Sequence, residues 1–314
     1  MAAAANVENW TMLSPDLKSD LDLTTEELLR LLDLAEDVKR NPLRYTTALQ
    51  NRYLTLLFEK PSLRTRMTFE VAIQQLGGGS ILNIGPIGDR EPLKDIARNV
   101  ERWTNGIVAR VYSQQTIEDL ARWASVPVIN ALSDLYHPCQ ALADFQTIAE
   151  HFGDFRGLRI AFAGDGNNVA HSLMLDAARL GAHFTIACPK GYEPDPKILQ
   201  QSRDFAAETG VTVTVTNDPI EGVRGADAVY TDVWASMGQE HEADKRREIF
   251  MPYQVNDALM EAAGPKAIFM HCLPAKRGLE VTESVIESPQ SVVFDQAENR
   301  LHAQKALLLM LLSE

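Results

Sequence analysis

The segment 59–70, EKPSLRTRMTFE, sets Ser62, Arg64, Thr65 and Arg66 together behind an apolar run and a proline. Guanidinium groups this close repel one another unless an anion lies between them. If the segment opens a helix, its first backbone N–H groups are unpaired and carry the positive end of the helix dipole, which suits a phosphate. Ser62 and Thr65 add hydroxyl donors, and Arg64 can grip two oxygens at once. A serine-capped helix with solvated arginines is the structural alternative. Arg110 ends the apolar run GIVAR and would bring a second guanidinium from a neighbouring strand end. His137-Pro138-Cys139-Gln140 marks a third junction, where proline suits a first helical turn. There His137 can donate to a carbonyl oxygen and Gln140 can pair with an amide. The alternative is a capping histidine with Cys139 as core filler.

The elements that must position these groups follow from apolar runs alternating with amphipathic stretches. YLTLLF (53–58) reads as a buried strand, and the arginine segment runs on as a helix closed by glycines at 77–79. ILNI, GIVARVY and VPVINAL read as strands, with helices around LKDIARNVERW and 115–124 between them. A long helix over CQALADFQTIAEHFG leads into a second series. Its expected strands are LRIAFAGD, HFTIAC, VTVTVT, ADAVYTD, KAIFMHC and SVVFD, with helices over 168–180 and 195–208. The expectation is an α/β fold of two doubly wound domains with parallel sheets, linked by the long helix and closed by a C-terminal helix over ENRLHAQKALLLMLLSE. The domains are set at 1–150, completed by helix 297–314, and at 151–296. Ligands of such sheets bind beyond the carboxyl ends of strands, where nearly all of these polar clusters fall.

Totals narrow the class. A chain of 314 residues exceeds one ordinary core, and 45% apolar with 23% charged residues is a folded globular profile. A net charge of -13 argues against a nucleic-acid partner but permits a small anion, because distant charges are screened beyond ~8 Å. No apolar run approaches the roughly 20 residues that span a bilayer. The start, MAAAANVENW, lacks secretory and transit patterns, and Cys139, Cys188 and Cys272 are too few for a disulfide framework. Both point to a reducing, cytoplasmic setting.

SLRT (62–65), HPCQ (137–140), DVWASMGQE (232–240) and HCLPA (271–275), in this order, resemble the aspartate and ornithine carbamoyltransferase family. The likeness runs from TTEELLRLLDLA to ENRLHAQKALL, and the SMG and HCLP stretches are similar to its ornithine branch. The resemblance implies transfer of a carbamoyl group from carbamoyl phosphate to the side-chain amine of L-ornithine, giving L-citrulline and phosphate. That is a step of arginine biosynthesis or of urea-cycle type. It implies a carbamoyl-phosphate domain followed by an ornithine domain, a homotrimer, no cofactor and no metal.

By the same resemblance, Ser62, Leu63, Arg64 and Thr65 grip the phosphate, and Arg110 holds phosphate and carbonyl oxygens. His137 binds the carbonyl oxygen and Gln140 the carbamoyl NH2. The Cys272 and Leu273 carbonyls accept from that NH2, and Arg300 adds a further contact. Asn168, Asp232, Ser236 and Met237 match ornithine positions. Arg110, His137, Asp232 and Cys272 are the catalytic set, with Asp232 and Cys272 around the amine.

One departure stands out. ILNIGPIGDREPLKD is a few residues short, and Pro86 falls where the family's subunit-crossing glutamine would be, so that Asp89 or Arg90 replaces the contact or it is absent. Other readings stay open. GDGNN at 164–168 follows a strand like a dinucleotide loop but lacks the third glycine. His137, Cys139, His271 and Cys272 form a conceivable zinc set without structural-site spacing. A silent relative that only binds carbamoyl phosphate, and a sister enzyme for putrescine or an acylated ornithine, complete the alternatives. GQEHEADKRRE (238–248) reads as a solvated lid hinged at Gly238, and Trp123 and Trp234 as packing residues.

Overall fold

A computed structural model describes residues 11–235 and 242–313. Its compact packing divides into two units, Met1–Gln146 with Glu298–Glu314, and Thr147–Ala297.

The first unit holds β1 (Tyr53–Phe58), β2 (Gly79–Ile84), β3 (Gly106–Arg110) and β4 (Val128–Leu132) in one parallel sheet of order β2-β1-β3-β4. With them lie α1 (Thr25–Arg40), α2 (Arg64–Gln75), α3 (Leu93–Val100) and α4 (Gln114–Trp123). Leu54–Phe58 of β1 and all of β4 are buried, as expected of strands covered on both faces. Leu57, Ile107, Ala109 and Val128 meet Ala97 and Val100 of α3 and Ile117 and Leu120 of α4 in one apolar layer. α1 is fixed by a capping box: Thr24 accepts from the Glu27 backbone, and the Glu27 carboxylate accepts from Thr24 N.

The second unit contains β5 (Arg159–Ala163), β6 (His183–Ala187), β7 (Val213–Thr216), β8 (Ala228–Thr231) and β9 (Ile268–His271), all parallel in the order β7-β6-β5-β8-β9. α5 (Pro138–Phe152) precedes this sheet, and α6 (Asn168–Leu180), α7 (Pro196–Thr209), α8 (Pro219–Val223), α9 (Ala243–Phe250), α10 (Asp257–Ala263) and α11 (Glu283–Ile286) surround it. Val223, Leu259, Met260, Val285 and Ile286 bury against Ala161, Val229 and Phe269 of the sheet. Every residue of α6 is buried. Asp176 and Arg179 of this helix pair at 3.5 Å inside that packing. α12 (Val293–Leu312) closes the chain, and the division into units falls within α5 and α12.

The α/β class, parallel sheets and closing helix hold as expected. SVVFD is corrected: only Ser291 bridges, to Phe269, and helix α12 starts at Val293. Among the described residues, no helix is long and apolar enough to cross a membrane.

Candidate functional site

In the first unit, β1 ends at Phe58 and α2 starts at Arg64, so SLRT turns from strand into helix at the carboxyl edge of the sheet. Ser62 is half-buried and is not a cap. Leu63 holds the N-cap position without a side-chain bond, so the serine-cap alternative fails. Arg66 also leaves the cluster, pairing on the surface with Glu70 at 3.1 Å. Arg110 ends β3 beside β1, at a register shift against β4, and its carbonyl accepts from Glu59 N.

Arg300 of α12 ties the early motifs together. Its Nη2 donates to Thr65 Oγ1 at 2.7 Å and its Nη1 to Gln140 Oε1 at 2.9 Å. Gln140 Nε2 in turn donates to Asp144 Oδ1 at 2.7 Å. All four residues are buried. His137 is buried beside them. Burial first, then the positive charges of Arg300 and Arg110, hold its imidazole well below the usual range. It is therefore neutral at pH 7, a single N–H donor rather than a cation.

Cys139 is core filler. Burial pushes its thiol up to about 12, and Sγ donates to the Asn130 carbonyl at 3.4 Å. The zinc set loses that ligand, because Cys139 is fully buried and its thiol is bonded to the Asn130 carbonyl. Pro86, Asp89 and Arg90 of the short segment are all exposed.

In the second unit, Asp232 follows β8 and Cys272 follows β9, on adjacent strands. Cys272 Sγ donates to Asp232 Oδ1 at 3.1 Å, and Asn167 Nδ2 donates to Asp232 Oδ2 at 2.8 Å. Asn167 also caps α6 by accepting from Val169 N and Ala170 N. Asn168, the matched ornithine position, is buried next to it and accepts from Val169 N. Ser236, Met237 and the Gly238 hinge lie outside the described residues.

His271 explains the backbone after β9. The Leu273 N–H donates to its Nδ1 at 2.9 Å, so the ring proton sits on Nε2, which faces Glu280 Oε1 at 3.2 Å. Leu273 then takes the left-handed conformation, φ 57°, uncommon outside glycine. The ligand atoms of Asp232, His271 and Cys272 lie within 4.8 Å of one another. Both His271 nitrogens are engaged elsewhere, so this trio lacks a free imidazole ligand.

Two further alternatives are corrected. A Cβ on Gly166 would meet Pro194 N at 2.3 Å, so backbone fills the space that a pyrophosphate would need over the GDGNN loop. Arg246, inside the presumed solvated lid, is 6% exposed. Its Nη1 donates to Asp165 Oδ2 at 2.6 Å and to the Trp234 carbonyl at 2.9 Å. Trp234 is buried and stacks with Phe250, as a packing residue should, whereas Trp123 is partly exposed with Arg98 over its ring. Asn167, Asp144 and Arg246 were not singled out by the sequence. The signal for Asp144 was an acid four residues after Gln140 in an otherwise apolar helix.

A family model described as "Aspartate/ornithine carbamoyltransferase, carbamoyl-P binding domain" matches residues 16–150, and its "Asp/Orn binding domain" counterpart matches 156–311. The chain is 54% identical over 299 residues to the ornithine carbamoyltransferase of Thermococcus kodakarensis, covering 93% of this chain and 94% of the relative. The solved ornithine carbamoyltransferase of Pyrococcus furiosus superposes with a TM-score of 0.93 at 48% identity, over 96% of this chain and 98% of that one. An acetylornithine transcarbamylase complexed with acetylcitrulline superposes at 0.85 with 30% identity, over 94% of this chain and 98% of that one.

Proposed function

Because the chain belongs to the aspartate/ornithine carbamoyltransferase family, we propose that it transfers the carbamoyl group of carbamoyl phosphate to the side-chain amine of L-ornithine, releasing L-citrulline and phosphate. The observation that carries this reading is the Arg300 fork, one buried guanidinium bonded at once to Thr65 of SLRT and Gln140 of HPCQ. It joins two motifs far apart in sequence into one anion-ready cluster.

Residues 1–150 with helix 297–314 bind carbamoyl phosphate in this reading. The first N–H groups of α2, with Ser62, Arg64 and Thr65, take the phosphate. Thr65 accepts from Arg300 and keeps its own proton to donate. Arg110 and neutral His137 donate to the carbonyl oxygen as negative charge develops there. A neutral donor suits this place, since three arginines already supply positive charge.

Residues 151–296 bind ornithine. An alkyl amine with a pKa near ~10.4 is almost wholly protonated at pH 7, and its neutral form costs about 4–5 kcal/mol. Asp232, held by Asn167 and Cys272, attracts the ammonium and steers it. The amine nitrogen forms the new C–N bond as the C–O bond to phosphate breaks, and the leaving phosphate accepts the last proton.

Free ornithine is favoured over an acylated form, since identity falls from 48% with the ornithine enzyme to 30% with the acetylornithine enzyme. A citrulline-forming assay offering ornithine, acetylornithine, putrescine and aspartate in parallel tests the proposal. Turnover with ornithine alone is expected. No product with any of them, or a clear preference for another amine, overturns it.

We also propose a cytoplasmic homotrimer. The exposed Ile81 and Ile84 on edge strand β2 support an assembly, and three free thiols support the compartment. Light scattering should give three times 34.9 kDa, and a monomer mass would refute the trimer.

A further inference from the structure

A primary amide is ambiguous: its oxygen and nitrogen ends have nearly the same shape and opposite hydrogen-bonding character. A glutamine that must accept from a substrate NH2 needs something to keep its oxygen forward. Gln140 lies between two groups that leave no such ambiguity. Asp144 can only accept, and it holds the Nε2 end at 2.7 Å. Arg300 can only donate, and its Nη1 meets the Oε1 end at 2.9 Å. Gln140 is 1% exposed and Asp144 0%, so water does not compete for either end.

Asp144 sits one helical turn beyond Gln140 on α5, the spacing that brings side chains face to face. A fully buried carboxylate is costly unless it is hydrogen-bonded, and Asp144 is bonded to Gln140. We infer that Asp144 is a positioning residue that fixes the Gln140 amide oxygen-forward, and so makes the acyl-phosphate pocket select an NH2-bearing acyl group over a methyl-bearing one. This rests on the reading that Gln140 faces the carbamoyl NH2. The ligand pair that exposes it is carbamoyl phosphate against acetyl phosphate, which differ at that one group. Oε1 accepts from Arg300 with one lone pair and keeps the second for the carbamoyl N–H. An acetyl methyl leaves that buried acceptor unpaired, which is how a polar pocket rejects an analogue.

The test compares the whole enzyme with Asp144→Asn, which keeps the shape but can present its own N–H2 and draw Gln140 Oε1 backwards. Three ligands are measured: the KM for carbamoyl phosphate, and the inhibition constants of acetyl phosphate and inorganic phosphate. In Asp144→Asn the carbamoyl phosphate constant is expected to weaken roughly 10-fold, while the other two move less than about threefold. The wild-type preference for carbamoyl over acetyl phosphate then contracts by the ratio of the two changes, roughly three- to tenfold. Equal weakening of all three ligands would mark Asp144 as mere structural support, and an unchanged preference would refute its role in selectivity.

Should the variant not fold, selective 15N-glutamine labelling of the wild type reads the same bond. Among the slowly exchanging side-chain NH2 pairs of the buried glutamines, one should vanish in Gln140→Met. A rapidly exchanging Gln140 amide overturns the inference. Failure of the functional reading looks different: the wild type would then bind neither carbamoyl phosphate nor inorganic phosphate.

Discussion

Replacing Arg246 by glutamine removes the positive half of a buried pair and leaves Asp165 behind. Both side chains are almost completely enclosed, at 7% and 10% exposure, and the charged atoms meet at 2.6 Å. Charges about 4 Å apart attract by roughly 4 kcal/mol at an effective dielectric near 20. Breaking a buried pair from one side costs about 3–5 kcal/mol. The loss has a pH signature. Burial already holds the Asp165 carboxyl above the usual range against the pull of Arg246, so in Arg246→Gln it rises further. A raised folded-state pKa leaves stability intact below the unfolded value of 3.8 and removes it as pH climbs through the folded value.

The deficit of Arg246→Gln should therefore be larger at pH 8 than at pH 5. The difference is about 1.4 kcal/mol for each unit, above pH 5, by which the folded pKa in the variant exceeds that in the wild type. Denaturant unfolding at the two pH values measures it, and Asp165→Asn in the same chain should restore most of the loss. A deficit identical at both pH values, with no rescue, would refute the reasoning. Because the guanidinium also holds the carbonyl of Trp234, two residues beyond Asp232, the KM for ornithine should rise while that for carbamoyl phosphate stays level.

Thr65→Val keeps the shape of residue 65 but removes its hydroxyl as an acceptor for Arg300 Nη2. A hydrogen bond to a charged group is worth about 1.5–3 kcal/mol, so the KM for carbamoyl phosphate should rise at least tenfold with ornithine KM unchanged. Since His137 is held neutral well below 6.5, the unfolded chain takes up its proton first as pH falls. Wild-type stability should drop from pH 6.5 toward 5, steeper than in His137→Gln by about 1.4 kcal/mol per unit; parallel curves would count against a buried neutral imidazole. The log of kcat/KM should still climb between about pH 6 and 8, driven by the amine, and a flat profile would show that its deprotonation is not controlling.

Strand identity was legible because buried parallel strands are short continuous apolar runs: YLTLLF coincides with β1 from end to end. The same rule misled at SVVFD, where an equally short apolar run opens a buried helix, and periodicity over five residues cannot separate the two. At the site, motif residues were readable by type, but the groups that orient them were not. Asn167 was absorbed into a loop judged by its glycines, although its amide is the one that grips Asp232. Arg246 was hidden in a charge run that composition assigns to solvent, and only tertiary packing against Asp165 takes it inside. Asp144 looked like an ordinary helix residue because Arg300, which holds the other end of its partner Gln140, comes from a helix near the opposite end of the sequence.

The three cysteines differ enough to be useful at the bench. Burial lifts the thiols of Cys139 and Cys188 to about 12, leaving almost no thiolate at neutral pH, whereas Cys272 is only part-buried beside Asp232. Alkylating reagents attack the thiolate. Access therefore directs a maleimide reagent to position 272, and because that thiol lies against Asp232, in the pocket proposed for the amine, bound ornithine should slow its labelling.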